Sequence, residues 1–266
     1  MLRWLAVGLV ACSSSPESGT ADDSCKRGLA YGHDSAADLQ ALSSGVSWWY
    51  NWASTPDDGI TTHAQEYVPM VWGQNSLANA GSQITADAKY LLAFNEPDFT
   101  SQANLTPQQA ADLWPQVEQI ASAHALKIVS PALNYCGGGC NETNPFDWFD
   151  KFFAACPDCQ VDYLAVHWYA CTKDALTGYI GMMKKYDRPI WLTEFACLDS
   201  DDISVAKQQA YMTDALDYLE NEPAVMRYAW FTGRSDNSPS IDLLGGDGEL
   251  TPLGSQYVTT SASCTN

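Results

Sequence analysis

Two glutamates stand at the ends of two similar apolar runs. Leu91-Leu92-Ala93-Phe94 stops on Asn95-Glu96-Pro97-Asp98, and Pro189-Ile190-Trp191-Leu192 stops on Thr193-Glu194-Phe195-Ala196. Such runs suit parallel strands covered on both faces, and a carboxylate at a strand end stands on fixed backbone. Pro97 cannot donate to a ladder and biases Glu96 toward extended backbone. Two carboxylates held about 5 to 5.5 Å apart can cleave a glycosidic bond with retention, one as nucleophile, the other as acid and then base. Apolar neighbours Phe94, Trp191 and Phe195, with the mutual repulsion of the pair, would keep one proton on it near neutral pH. A single glutamate at a strand end is usually structural, capping a helix or pairing with an arginine. Two in matching contexts favour catalysis.

The surrounding residue types suit a sugar. Indole and phenol faces stack on the C–H faces of pyranose rings while polar groups take the hydroxyls. Trp48, Trp49, Tyr50 and Trp52 are dense, and strand alternation sends Trp48, Tyr50 and Trp52 to one face and Trp49 and Asn51 to the other, so about half are core packing. Trp191, mid-run, reads as core. His167 has no ligand-spaced partner among His33, His63 and His124, so no metal and no cofactor is expected. No serine lies in a nucleophile-elbow motif.

The elements that would position these residues alternate. Apolar runs of strand length fall at 28–32, 46–52, 67–73, 91–96, 127–132, 161–169, 189–196 and 226–231. Helical patterns lie around 36–42, 106–125, 146–155, 174–186 and 204–221. Pro69 weakens the third strand, because proline forfeits a ladder bond, whereas Thr106-Pro107 is a helix start. Eight strands alternating with helices over roughly 240 residues predict a (β/α)8 TIM barrel, a single domain whose strands all end on the face that carries the site. Trp52, Trp72, Asn95, Glu96, His167, Tyr169, Glu194 and Trp230 gather at those ends. A doubly wound sheet would want a glycine-rich first turn, which Gly32-His33-Asp34 does not supply.

The 266 residues, 46% hydrophobic, suffice for one large core. A formal charge of −19 disfavours nucleic acid and anionic lipid as partners and fits a neutral substrate, although it equally suits the solubility of an exported protein. Residues 1–24 read as a lipoprotein-type signal and tether: Arg3, a short apolar stretch, then Leu9-Val10-Ala11-Cys12, which resembles a lipobox with lipid on Cys12, followed by a polar Ser-, Pro- and Gly-rich segment. Ordinary cleavage nearby is the alternative. Residues 25–266 form the domain. The expected location is extracytoplasmic, as an outer-membrane lipoprotein or a secreted protein, with membrane contact only through Cys12. A monomer is expected. Nine cysteines less Cys12 leave eight, an even number suited to disulfides in an oxidising compartment. Cys25 with Cys264 and Cys171 with Cys197 are the expected pairs. Cys136, Cys140, Cys156 and Cys159 remain as a local group whose spacing also resembles a zinc site, with Gly137-Gly138-Gly139 as a tight disulfide loop.

Tyr50-Asn51-Trp52, Phe94-Asn95-Glu96-Pro97-Asp98, Val166-His167-Trp168-Tyr169 and Thr193-Glu194-Phe195, in that order, resemble glycoside hydrolase family 128, clan A barrels that act on β-1,3-glucans. The resemblance implies that Glu96 is the acid/base and Glu194 the nucleophile. It further implies that Asn95 bonds the sugar 2-hydroxyl, that His167, Tyr169 and Trp230 shape the same subsite, and that aromatics between Trp48 and Trp72, with Asn51 beside Trp52, grip further sugars. The expected activity is that of a retaining endo-β-1,3-glucanase on β-1,3-glucan polysaccharide or oligosaccharides. Another clan A β-glycanase and a non-catalytic glycan-binding barrel are the alternatives.

Overall fold

The strands are short, parallel and bound into two sheets. The computed structural model describes residues 25–60 and 64–262. The elements run β1 (Arg27–Ala30), α1 (Ala36–Leu42), β2 (Trp48–Tyr50), β3 (Glu66–Tyr67), β4 (Met70–Val71), α2 (Leu77–Gln83), β5 (Tyr90–Asn95), α3 (Pro107–His124) and β6 (Lys127–Ala132). There follow α4 (Pro145–Ala155), β7 (Leu164–Ala170), α5 (Lys173–Met183), β8 (Ile190–Asp199), α6 (Val205–Asn221), β9 (Val225–Phe231) and α7 (Pro252–Thr259). One sheet has the order β3-β2-β1-β9-β8-β7 and the other β4-β5-β6, with every ladder parallel.

The expected continuous eight-stranded barrel is therefore interrupted at two seams, and a proline lies at each. The third expected strand is broken into β3 and β4 around Pro69, which has no N–H to give. There Val68 N–H donates to Trp49 (3.0 Å) while the Pro69 carbonyl accepts from Leu92 (2.9 Å), handing the chain from one sheet to the other. At the second seam Pro131 breaks the β6–β7 ladder, leaving isolated parallel bridges Val129–Tyr163 and Leu133–Val166. The Ser130 hydroxyl substitutes for the missing backbone partner by accepting from Ala165 N–H at 2.8 Å.

The helices pack outside the strands, and an aromatic-rich cluster fills the space within them. Trp48, Tyr50, Tyr90, Leu92, Val129 and Trp191 belong to the inner cluster, while Trp49 faces the helices, as strand alternation predicts. Gly28 makes room for this: a Cβ there would lie 2.2 Å from the Trp48 indole. The α3 start is capped as expected, with Thr106 and Gln109 bonding reciprocally ahead of Pro107. Cys171 pairs with Cys197, and the local group forms two disulfides, Cys136–Cys140 and Cys156–Cys159. The signal, Cys12 and the tether lie outside the described residues, as does the Cys264 half of the expected terminal bridge. Among the described residues no helix is long and apolar enough to cross a membrane.

Candidate active site

Glu96 leaves the end of β5 on a bent backbone. Phe94 has φ +29° and Glu96 φ +40°, so the extended conformation expected ahead of Pro97 is not adopted. Left-handed backbone at a non-glycine residue costs about 1–3 kcal/mol and persists where its surroundings over-determine it. They do so here. Asn95 N–H donates to Trp72 and Glu96 N–H to Ala132, each at 2.9 Å, while the Pro97 carbonyl accepts from Leu105 at 2.8 Å and Asn141 Nδ2 at 2.7 Å. The bend re-aims the carboxyl that a regular strand would have sent elsewhere.

Glu194 sits within β8, 4% exposed, in a cage of donors. Tyr50 hydroxyl (3.2 Å) and Trp52 Nε1 (2.9 Å) donate to its Oε1, and the Tyr169 hydroxyl donates to its Oε2. His167, the β7 register partner of Glu194, is fully buried between the two acids. Its Nδ1 lies 2.9 Å from Glu96 Oε1 and 3.5 Å from Glu194 Oε2. One oxygen of each glutamate and a His167 ring nitrogen all fall within 4.8 Å of one another.

The electrostatics follow from this crowding. Burial pushes the Glu194 carboxyl above the ordinary range and Glu96 adds to the rise, while His167 and the donors from Tyr169 and Trp52 oppose it. Burial works against a charge on His167, yet Glu194 and Glu96 together raise its proton affinity above the ordinary value. The Tyr50 and Tyr169 phenols are pushed well up, first by burial and next by Glu194, so both stay protonated and donate. Glu194 and His167 are thus both pushed toward their protonated forms inside one buried cluster, the kind of environment in which paired-carboxylate chemistry separates an acid from a base.

A cleft of about 520 Å³ opens over the pair, lined by Trp52, Trp72, Asn95, Glu96, Tyr169 and Glu194 among the expected residues. His167 lies beneath it. Two expected contacts are corrected. Asn51 turns into its own loop, where Nδ2 donates to Thr55 (3.1 Å) and Asp57 (3.2 Å) and Oδ1 accepts from Tyr67, so it builds the turn that carries Trp52. Trp230 is fully buried on the helix side, with Nε1 donating to Ile241 at 2.8 Å and its ring against Phe195. In β9 the side chains alternate, so Phe231 lines the cleft in its place. Its ring stands edge-on between Trp52 (6.0 Å) and Tyr169 (5.8 Å). Phe99, Gln102 and Asn134 complete the cleft. The inward position of Ala229 is the sequence signal that could have found Phe231. The three loop residues carry none.

Residues 28–257 match the family model described as glycosyl hydrolase catalytic core. The fold superposes with a TM-score of 0.85 on the crystal structure of a glycoside hydrolase family 128 (subgroup II) endo-β-1,3-glucanase from Sorangium cellulosum, 47% identical over 90% of this chain and 100% of that one. A subgroup I endo-β-1,3-glucanase from Amycolatopsis mediterranei in complex with laminaritriose superposes at 0.76, with 31% identity over 89% of this chain and 100% of that one. Alkali-sensitive linkage protein 1 of Schizosaccharomyces pombe is 33% identical over 248 residues, 88% of this chain. The match spans 44% of that relative's own length, less than half of it. A match of this extent, whose span includes both glutamate-bearing strands, makes the chain a member of the glycosyl hydrolase catalytic core family and, within it, of glycoside hydrolase family 128.

Proposed function

We propose that this glycoside hydrolase is a retaining endo-β-1,3-glucanase, with Glu194 as nucleophile and Glu96 as acid/base. The observation that carries the reading is the close approach of the two carboxylates, an oxygen of one lying within 4.8 Å of an oxygen of the other. Retaining enzymes hold their pair about 5 to 5.5 Å apart, while inverting ones leave about 6.5 to 9.5 Å for a water. Glu194 attacks the anomeric carbon while Glu96 gives its proton to the departing glycosidic oxygen. Glu96 then takes a proton from the water that releases the sugar from Glu194. The endo-β-1,3-glucanase relatives, one of them holding laminaritriose, support the substrate and the internal mode of cleavage. The same reading takes the two sheets as one (β/α)8 barrel, supported by the hydrogen bonds across both seams. It also takes the chain as an exported monomer, lipid-anchored at Cys12.

Digestion of linear β-1,3-glucan by residues 25–266, with Glu194→Gln as control, tests the function. Oligosaccharides of mixed length from the wild type alone are expected. Binding without products from either protein would point to a glycan-binding barrel, and products from β-1,4-glucan or mannan only would point to another β-glycanase.

The donors on Glu194 give a second expectation. Tyr169→Phe removes a hydrogen bond to a carboxylate that charge-assisted values place at about 1.5–3 kcal/mol. A kcat/KM loss of about 10- to 100-fold is expected, and Trp52→Phe should do the same while keeping an aromatic face. Loss in KM alone would assign these side chains to sugar binding rather than to holding the nucleophile.

A further inference from the structure

Every residue from Pro97 to Thr100, the turn that follows Glu96, is bonded to one short stretch of the β6–α4 loop. The Pro97 carbonyl accepts from Asn141 Nδ2 at 2.7 Å and the Asp98 carbonyl from Asn141 N–H at 2.8 Å. Phe99 forms an antiparallel bridge with Cys140, and Thr100 gives both its N–H (2.8 Å) and its hydroxyl (2.7 Å) to the Gly139 carbonyl. The disulfide Cys136–Cys140 closes the loop that contains Gly139. That loop has little else to hold its shape. Gly137, Gly138 and Gly139 are exposed, and a Cβ on either of the first two would meet nothing, so neither is there for close packing. Consecutive glycines have the most backbone freedom to lose. The disulfide removes that freedom by fixing Cys140 against Cys136, which is 5% exposed and whose N–H donates to Thr143 at 3.1 Å. It constrains the unfolded chain much less, because its sequence separation is 4 against 26 for Cys171–Cys197, and closure entropy grows with loop length. So short a cross-link orders its own loop more than it stabilises the fold.

The ordered loop holds a turn that needs holding. Glu96 has φ +40°, and its carboxyl lies 2.9 Å from His167 Nδ1. Left-handed backbone at such a residue relaxes unless its surroundings over-determine it. Resting on the proposed glucanase reading, we propose that the loop closed by Cys136–Cys140, with Asn141 as its positioning residue, is a clamp that keeps Glu96 where it can protonate the departing glycosidic oxygen. The disulfide and Asn141 touch no reacting atom. With the disulfide absent, the three glycines regain their freedom, the pairing with 97–100 loosens and the Glu96 carboxyl loses its place. Glu194 is held separately, on β8, by Tyr50, Trp52 and Tyr169. The clamp therefore acts on the acid and leaves the nucleophile alone.

The test compares kcat/KM on two substrates that differ in their need for an acid: linear β-1,3-glucan, whose leaving sugar must be protonated, and a dinitrophenyl β-1,3-glucoside, whose leaving group departs without a proton. The double variant Cys136→Ser with Cys140→Ser is expected to lose about 10- to 100-fold on glucan, in kcat with KM within about twofold, and less than about threefold on the dinitrophenyl substrate. Asn141→Ala keeps the disulfide and removes the bond from Nδ2 to Pro97. It should show the same selectivity at about 3- to 10-fold, and it decides the matter if the serine variant fails to fold. Equal losses on the two substrates would mean general loosening and overturn the proposal. So would no loss, or a loss carried by the KM for glucan alone, which would make the loop a support for sugar binding through Phe99. Hydrogen exchange followed by mass spectrometry reads the clamp without any substrate: residues 94–102 are expected to exchange faster in the serine variant while β8 keeps its protection. Unchanged protection at 94–102 overturns the clamp whatever the kinetics. Inactivity of the wild type on both substrates would instead overturn the glucanase reading itself, with the exchange result still deciding whether the loop holds the turn.

Discussion

Glu194→Ala is expected to lose at least about 10⁴-fold in turnover of an activated aryl β-1,3-glucoside, a loss typical of removing a covalent nucleophile. Added azide is expected to restore part of it, releasing a glycosyl azide of α configuration. The reason lies in the cage around the carboxylate. Tyr50, Trp52 and Tyr169 all donate toward the volume that Glu194 occupies, and in the alanine variant those donors face a pocket of carboxylate size. A small anion entering there takes over their hydrogen bonds and stands on the face of the sugar that the nucleophile used, so its product is inverted. Glu96→Ala should behave in the opposite sense. With a leaving group that needs no proton, the glycosyl-enzyme still forms on Glu194, and azide attacks from the Glu96 side to give a β-glycosyl azide. An α-azide from Glu96→Ala together with a β-azide from Glu194→Ala would exchange the two roles. No azide product from either variant would remove the covalent mechanism. Chirality of the product, read by NMR, makes this a sharper test than loss of rate.

The carboxylate pair was legible in the sequence because two constraints coincide at each glutamate. A buried parallel strand must be apolar, so a carboxylate ending such a run is conspicuous, and two of them narrow the chemistry. The strand-and-helix alternation was legible for the same reason. What was lost turns on single residues. Trp230 and Phe231 are both aromatic and adjacent, and a strand sends neighbours to opposite faces, so reading the wrong one as inward moves an indole from the wall to the cleft. Only the hydrophobic register of β9, with Ala229 inside, distinguishes them. Asn51 was placed in the site by its motif, yet its amide is consumed by the turn that presents Trp52. The seam at Pro69 was foreseeable from the missing N–H. The one at Pro131 was hidden, because the ladder fails there on the strand's far side, toward β7, and Ser130 repairs it with a side chain. Phe99, Gln102 and Asn134 sit on irregular backbone shaped by long-range bonds, such as that of Asn95 Nδ2 to Gln102 (3.3 Å), for which no local pattern exists. The His167 bridge between the acids is likewise a consequence of register between β7 and β8.

The largest stability effect is expected far from this chemistry, at Arg227 near the start of β9. Its side chain is 1% exposed, and the guanidinium lies 4.6 Å from the Tyr90 ring centroid, 4.7 Å from Trp191 and 5.5 Å from Trp48. Three aromatic faces thus surround a cation inside the strands, and its one ion pair among the described residues is Nη2 with Glu66 Oε2 at 2.8 Å. Nε and Nη1 have no partner among the described residues. Cation–π contacts supply part of the compensation, but a buried charge without its counter-ion is far costlier than an ion pair is favourable. Glu66→Ala is therefore expected to destabilise by about 3–5 kcal/mol, lowering the melting temperature by roughly 10 °C in a chain of this size. Lys89, 3.8 Å from Glu66 and well exposed, contributes little to that figure. The discriminating protein is the double variant Glu66→Gln with Arg227→Met, which removes the charge as well as its partner and leaves an apolar side chain against the rings. It should unfold at a higher urea concentration than Glu66→Ala at an unchanged m-value, since the cost comes from the stranded cation and not from lost volume. If the double variant loses the sum of its two single losses, the pair is uncoupled and the rings alone hold Arg227. If it recovers most of the loss, Glu66 is there to neutralise a cation that the aromatic interior would otherwise expel.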